Sequence, residues 1–504
     1  MASIDEIQGN LLRKPSGEEA EELERTASTY KPLNSFQLAK EKSYQQQYAD
    51  MYFLRLTKIK PAVETLAVEA WSDTVVGGEK VKPVDRVLDI RQGELCWTIG
   101  TVYMDMALKP NILEDVSKDK WISAPTSTQK YWSDDGSDAV MLEDESGRIR
   151  LVGAALKSVF LVTGCIIAVM GTENANGELE VYDIKLPDLP PQPDRWALSK
   201  PPTTNGTKTS KAKDEDEEMT DSHSRGSGGK VAIVSGLSFS SSDASHALEL
   251  NLLLEYLLGE ALDPSAQQEL AQISRLIIAG NSISLEDRRP VEEQQPERKT
   301  NKKYGYDASS YNALPSQLLD EFLASLLPTM PINMLPGAQD PANASYPQQP
   351  VHTAMFPNAR AYAAVPGSKE AGWLDNVTNP WETELDGWRV LGTGGQNLDD
   401  VFKYVDSDDR LGMMEAMCRW RCCAPTAPDT LWAYPFQDDD PFVMKTCPHL
   451  YFVGCQPEFG TKVIHGADGQ SVRLITIPSF KDAKEIVLVD TETLDVSTVK
   501  IATL

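Results

Sequence analysis

Between residues 201 and 229 the chain carries just two apolar side chains, Ala212 and Met219, and an unbroken acidic run from Asp214 to Glu218. Such a segment cannot bury enough apolar surface to offset its conformational entropy, so it cannot belong to a core. It reads as an acidic disordered linker over 191–229 that divides the 504 residues into two folding units. Single cores stop growing at ~250–300 residues, which suits one unit on each side. A second polar stretch, 286–303, has 11 charged residues in 18 and reads as an insert looping out of the second unit. Residues 1–35, with acidic side chains at Glu18, Glu19, Glu21, Glu22 and Glu24, read as a flexible N-terminal arm.

The first unit, 36–190, begins with helix formers from Phe36 to Met51, after which Tyr52-Phe53-Leu54-Arg55-Leu56 alternates like a strand. Cys96 to Tyr103 alternates with period two. Two hairpins follow: Ala139–Leu142 with Arg148–Val152 about a charged turn ending in Gly147, and Phe160–Met170 with Leu179–Ile184 about Thr172–Gly177. About five strands at this spacing suit a small closed barrel of the OB type. Residues 151–171 approach membrane-spanning length, but Lys157 and Ser158 interrupt them and the remainder is β-branched and Gly-rich, as in two buried strands.

The second unit, 230–504, alternates strand and helix. Val231–Gly236 is a buried strand, and Asp243 is placed to cap a helix with Leu250, Leu253, Leu254, Leu257 and Leu258 on one face. Strand Arg275–Gly280, helix Gln317–Leu326 and strand Ile332–Leu335 follow, and four strands within 450–501 give an antiparallel finish. The fold class is thus α+β before the linker and α/β after it, the latter a mostly parallel sheet flanked by helices.

Forty-eight basic against 75 acidic side chains leave a net charge of −27. A protein that grips DNA unaided replaces phosphate counterions with Lys and Arg, and no such concentration exists here. Even the barrel region, 95–187, holds 8 basic and 14 acidic side chains, 8 − 14 = −6, which favours a protein-binding barrel over a single-strand binder. Seven scattered cysteines, an odd number, fit a reducing compartment, and the N-terminus lacks a signal-peptide pattern; an intracellular protein that does not enter membranes is expected.

Sites in open α/β sheets collect at the C-terminal ends of the strands. Those ends read Ser235-Gly236-Leu237-Ser238, Gly280-Asn281-Ser282-Ile283-Ser284, Pro336-Gly337-Ala338-Gln339-Asp340 and Gly454-Cys455-Gln456-Pro457. Their order resembles the calcineurin-like metallophosphoesterases, whose Asp, His and Asn ligands hold two metal ions that generate a hydroxide. The resemblance implies a degenerate site. Gly236 and Ser238 stand where Asp and His are required, Asn281 replaces the bridging Asp, and Ser284 falls at the second acidic position. Ala338 and Gln339 replace Asn and His, Cys455 and Pro457 replace the last two His, and only the supporting Asp340 remains. Glycine and alanine supply no ligand atom, so no catalytic residue, metal or cofactor is expected.

Longer strings carry a more specific likeness. Asn379-Pro380-Trp381-Glu382, the run Gly392 to Asp400, the run Ala424 to Trp432, Asp440-Pro441-Phe442 and Cys447 to Gly454 resemble the small, or B-, subunit family of eukaryotic DNA polymerase delta. Cys422 departs from the His that many members have after Arg421. The resemblance implies an OB domain joined to an inactivated phosphoesterase-type α/β sandwich, acting in the nucleus as a scaffold in DNA replication and repair synthesis. It also implies two protein partners, the cysteine-rich C-terminal domain of the polymerase catalytic subunit and the N-terminal domain of a third, sliding-clamp-binding subunit. In some organisms the translesion polymerase zeta shares the subunit; DNA is met only through the holoenzyme.

Two other readings compete: a phosphodiesterase with unconventional ligands drawn from Asp340, Asp429 and Asp438–Asp440, and a single-stranded DNA binder through the barrel. Several motifs read as structural. Gly392-Thr393-Gly394-Gly395 lacks a P-loop Lys and reads as a tight turn before a helix near Asn397. Asp438-Asp439-Asp440 reads as solvated carboxylates, and Cys418, Cys422, Cys423, Cys447, His449 and Cys455, without a Cys-x-x-Cys pair, as buried side chains rather than a zinc site.

Overall fold

The computed structural model describes residues 23–43, 48–110, 130–133, 135–201, 229–260, 264–284, 312–365, 368 and 371–501. In chain order its first elements are β1 (Tyr30–Pro32), α1 (Ala49–Trp71), β2 (Val75–Val76), β3 (Glu79–Lys80), β4 (Lys82–Pro83), β5 (Leu95–Asp105), β6 (Ala139–Glu143), β7 (Arg148–Val152), β8 (Ile166–Glu173) and β9 (Glu178–Lys185). There follow β10 (Lys230–Val234), α2 (Ala247–Leu258), α3 (Pro264–Ala271), β11 (Ile273–Ala279), α4 (Leu314–Leu326), β12 (Ile332–Leu335), β13 (Leu374–Asn376), β14 (Trp381–Leu385) and β15 (Trp388–Thr393). The last are α5 (Gln396–Tyr404), α6 (Arg410–Arg419), β16 (Leu450–Gln456), β17 (Gly460–His465), β18 (Ser471–Pro478), α7 (Phe480–Ala483), β19 (Glu485–Asp490) and β20 (Val496–Lys500).

Strands β4-β5-β6-β7-β9-β8 form one sheet, closed into a barrel by pairing of β5 with β8 from Leu95↔Thr172 to Thr101↔Ile166. Both expected hairpins are present, β6–β7 and β8–β9. Asp144 sets the first turn: its carboxylate accepts the N–H of Ser146 at 2.7 Å and Gly147 at 3.0 Å, and also that of Val87 at 2.7 Å. The apolar stretch 151–171 contains the end of β7, a short 3-10 turn at Ala154–Ser158 and most of β8, rather than two full strands. No helix among the described residues is long and apolar enough to cross a membrane.

The strand expected at Tyr52–Leu56 is instead part of α1. Five alternating residues also fit a helical repeat, and the longer pattern decides it: Met51, Arg55, Ile59, Val63, Ala67 and Trp71 fall four apart and are all buried. This face packs Leu56, Ile59, Val63 and Trp71 onto Leu95, Trp97, Ile99 and Ile166 of the barrel wall. β5 is consequently buried on both faces despite its alternation.

The second unit is a sandwich of two six-stranded sheets, β1-β14-β15-β16-β18-β17 and β13-β12-β11-β10-β19-β20. β10 to β13 run parallel, and β19 closes antiparallel on β10. Alternate residues of β10 face opposite ways: Val231 and Ile233 meet Trp381, Phe452 and Ile475 between the sheets, while Ala232 and Val234 meet Leu253 of α2 and Leu323 of α4. His246, not Asp243, stands at the N-cap position of α2, without a side-chain capping bond; Asp243 instead accepts Ser245 N and pairs with Lys481.

Two connecting segments differ from expectation. Of the arm, residues 23–35 are docked rather than loose, with β1 pairing antiparallel to β14. Of the linker, residues 191–200 are also docked. Gln192 bonds Pro448 O and Ser471 O, Arg195 pairs with Glu492, and Trp196 N donates to Gly387 O. Both segments are polar in sequence because they spend polar groups on the sandwich. Residues 1–22, 202–228 and the 286–303 insert lie outside the described residues.

Candidate functional site

The four strand ends singled out from sequence converge on one rim of the sandwich, where main chain packs on main chain. A Cβ on Gly280 would lie 3.1 Å from the Cα atoms of both Gly337 and Gly394, and one on Gly454 only 2.0 Å from Ala279 O. The backbone is bent to achieve this: Gly236, Ser238, Gly280, Asn281 and Cys455 all take positive φ. Left-handed conformations at non-glycine residues are costly and concentrate at built sites.

The side chains at this rim are turned to holding loops together. Gly236 N donates to Gly280 O at 2.9 Å, and Ser238 N to Asn281 O at 3.0 Å. Asn281 Oδ1 accepts Gln339 N at 2.9 Å, and Ser284 N donates to Phe239 O. Ser235 Oγ donates to Ala279 O, accepts Cys455 N at 2.7 Å and lies 3.1 Å from Cys455 Sγ. Ala338, Gln339 and Pro457 are exposed. Asp340 is buried, and its two oxygens accept Ile283 N at 2.9 Å and Gly337 N at 2.8 Å. Burial pushes its carboxyl up to about 6 despite those N–H groups, and burial likewise pushes the Cys455 thiol up to about 12.

Cys422 is not part of this rim. It is buried with Arg55 and Asp440 nearby, and burial raises its thiol to about 11. The carboxylates considered as unconventional ligands are likewise dispersed. Asp429 bonds Lys109 at 2.8 Å and Tyr404 OH at 3.0 Å, Asp438 is exposed, and Asp439 pairs with Lys58 and Lys445. Asp440 corrects the expectation of a solvated run: it is fully buried against Arg55. Among the described residues no group of three or more His, Cys, Asp or Glu could hold a metal ion. The Gly392–Gly395 turn serves α5, with Gly394 N on Asn379 Oδ1 and the Asn397 amide bonding Cys423 O and Tyr451 OH.

A second constellation, missed from sequence, lies where barrel meets sandwich. Arg55 of α1 is fully buried, its Nε 2.8 Å from Asp440 Oδ2, Nη1 2.6 Å from Pro425 O and Nη2 2.9 Å from Ala427 O. Gly164 of the barrel, at φ +94°, fits because a Cβ there would sit 2.0 Å from Pro425 O. Around them one apolar cluster runs from barrel residues Val102, Leu142 and Ile167 to Leu398, Met413, Trp420 and Tyr451 of the sandwich. An arginine on the otherwise apolar face of α1 was the available signal. The two units share a core.

A closed barrel fused through a common core to a two-sheet sandwich, with a rim of self-bonded loops, defines a two-domain, OB-plus-sandwich class of protein. A family model described as DNA polymerase delta subunit OB-fold domain matches residues 47–184, and one for the B-type subunit of DNA polymerases alpha and epsilon matches residues 231–461. The DNA polymerase delta small subunit of Saccharomyces cerevisiae is 33% identical over 503 residues, covering 94% of this chain and 93% of that protein. The protein of the same name from Oryza sativa subsp. japonica is 34% identical, covering 95% and 99%, and the DNA polymerase delta subunit 2 of Drosophila melanogaster is 31% identical, covering 94% and 97%. The chain belongs to the DNA polymerase delta small subunit family, accessory subunits that work in DNA replication within a complex of polymerase subunits.

Proposed function

We propose that the sandwich is an inactivated phosphoesterase-type domain and that the chain serves the polymerase delta complex in the nucleus as a rigid, non-catalytic scaffold. Its partners on this reading are the cysteine-rich C-terminal domain of the catalytic subunit and the clamp-binding third subunit, with polymerase zeta as a further user in some organisms. Repair synthesis belongs to the same role, and DNA is reached only through the holoenzyme. The supporting observation is the chemistry of the rim. Gly236 and Ala338 have no ligand atom to offer, and Asp340 spends both oxygens on backbone N–H groups. A sheet that keeps its geometry without its ligands remains useful as a surface.

The test is to tag the chain at its native level and purify it at high salt. Stoichiometric recovery of a polymerase catalytic subunit and a clamp-binding subunit is expected. Recovery of the chain alone, with equimolar metal and turnover of a phosphodiester such as bis-p-nitrophenyl phosphate, would overturn the reading.

A further inference from the structure

The arm that precedes the barrel is held as a ligand is held. Arg25 donates to three carbonyls that end separate elements, Leu257 O at 2.8 Å, Leu270 O at 3.2 Å and Ile273 O at 3.0 Å. Thr29 gives both its N–H and its hydroxyl to Asp386, and Tyr30 OH donates to Asp375 Oδ2. The Arg275 guanidinium stacks 4.5 Å over the Tyr30 ring and bonds Ser28 Oγ at 3.0 Å. Between these anchors β1 adds three residues to β14 in the register Tyr30↔Leu385, Lys31↔Glu384, Pro32↔Thr383. Without it β14, buried along four of its five residues, would be an open sheet edge.

We propose that the edge of β14, together with the carbonyl socket for Arg25 at α2, α3 and β11 and the Asp375–Arg275 socket for Tyr30 five residues on, is a peptide-binding site that the chain fills in cis with residues 23–32. Three observations favour a separable strand. Its contacts are main-chain pairing plus a few side-chain anchors, the mode by which sheets capture extended peptides. Its charge complements the site: Lys31 lies in register with Glu384 on a hairpin that also bears Glu382 and Asp386. And Lys40, Glu41, Lys42 and Ser43, which lead away from it toward the barrel, are exposed. Pro32, lacking an N–H, limits further strand addition beyond the arm. This inference does not depend on which polymerase partners the chain has.

Deleting the arm outright would risk misfolding, so the test keeps the full chain and inserts a specific protease site between Lys40 and Glu41. After folding and cleavage, residues 1–40 are expected to stay bound through gel filtration. They are also expected to exchange for a fluorescent peptide of residues 23–34, and R25A and Y30A peptides should bind at least tenfold more weakly. Exchange of labelled arms between intact, uncleaved chains, giving strand-swapped dimers, would equally support the site. The proposal is overturned if the cleaved arm leaves and no peptide rebinds while the remainder keeps its melting temperature. It is also overturned if the R25A and Y30A peptides bind as well as the native one.

Discussion

The rim and the junction are built from similar materials and put them to opposite uses. At the rim, bent backbone and polar loops surround one carboxylate, Asp340, occupied by amide N–H groups. At the junction two carboxylates, Asp440 and Asp429, are each matched by a cation from the first unit, Arg55 and Lys109. The fully buried ion pair Arg55–Asp440 therefore sits where the two domains are joined, not where a strand-end site would do chemistry. A fixed angle between the two units needs a directional contact, and a fully paired arginine supplies one.

The largest expected effect follows from breaking that pair. Arg55→Met leaves the Asp440 carboxylate buried without its cation, a change that costs roughly 3–5 kcal/mol for such pairs. Urea unfolding should show that loss, and Arg55→Met with Asp440→Leu should regain part of it because no charge is then stranded. Equal stability of the single and double variants would mean that the pair contributes shape alone.

Protonation sharpens the comparison at the rim. The folded Asp340 carboxyl, held at about 6 by burial, lies above its ordinary value of 3.8. Its contribution to stability is fully present below about pH 4 and is lost as pH rises through 6, by about 2–3 kcal/mol at 1.4 kcal/mol per unit. Asp340→Asn should thus compare worst with the native chain near pH 4 and improve toward pH 7. His449 works in the opposite sense. Burial lowers its pKa, and its Nδ1 accepts Arg389 N at 3.1 Å in the neutral form. Its contribution is present above the ordinary histidine range and lost as pH falls through the lowered value, so His449→Gln should flatten the acid side of the stability curve.

Much of the architecture was legible because local patterns and tertiary contacts agree. The β6–β7 turn ends in Gly147 as its sequence implies, and Leu250, Leu253 and Leu257 of α2 are buried in the core. What escaped the sequence depends on partners far away in the chain. Arg55 meets Asp440 across 385 positions, and nothing local distinguishes a solvated Asp438 from a buried Asp440. The arm escaped for a related reason: its Ser, Thr and Arg side chains are hydrogen-bonded to distant groups, and polar composition alone cannot separate that from solvation. At the rim the residues of the four strand ends were readable one by one, whereas the direct packing of main chain on main chain was not.

Glycines give the next test, since they carry the close approaches in both regions. Gly164→Ala at the junction and Gly454→Ala at the rim each put a Cβ 2.0 Å from a carbonyl oxygen, of Pro425 and Ala279 respectively. Each should cost about 1–3 kcal/mol through overpacking, with Gly164 the worse because its φ of +94° adds backbone strain. The smallest effect should come from the rim's exposed side chains. Gln339→Ala, which keeps the N–H that bonds Asn281, should stay within about 0.5 kcal/mol of the native chain by urea unfolding, as surface substitutions usually do. It should also leave the polymerase activity of the assembled complex unchanged. A fall in that activity at unchanged stability would mean that the rim has acquired a partner, and that its side chains, not its backbone alone, carry function.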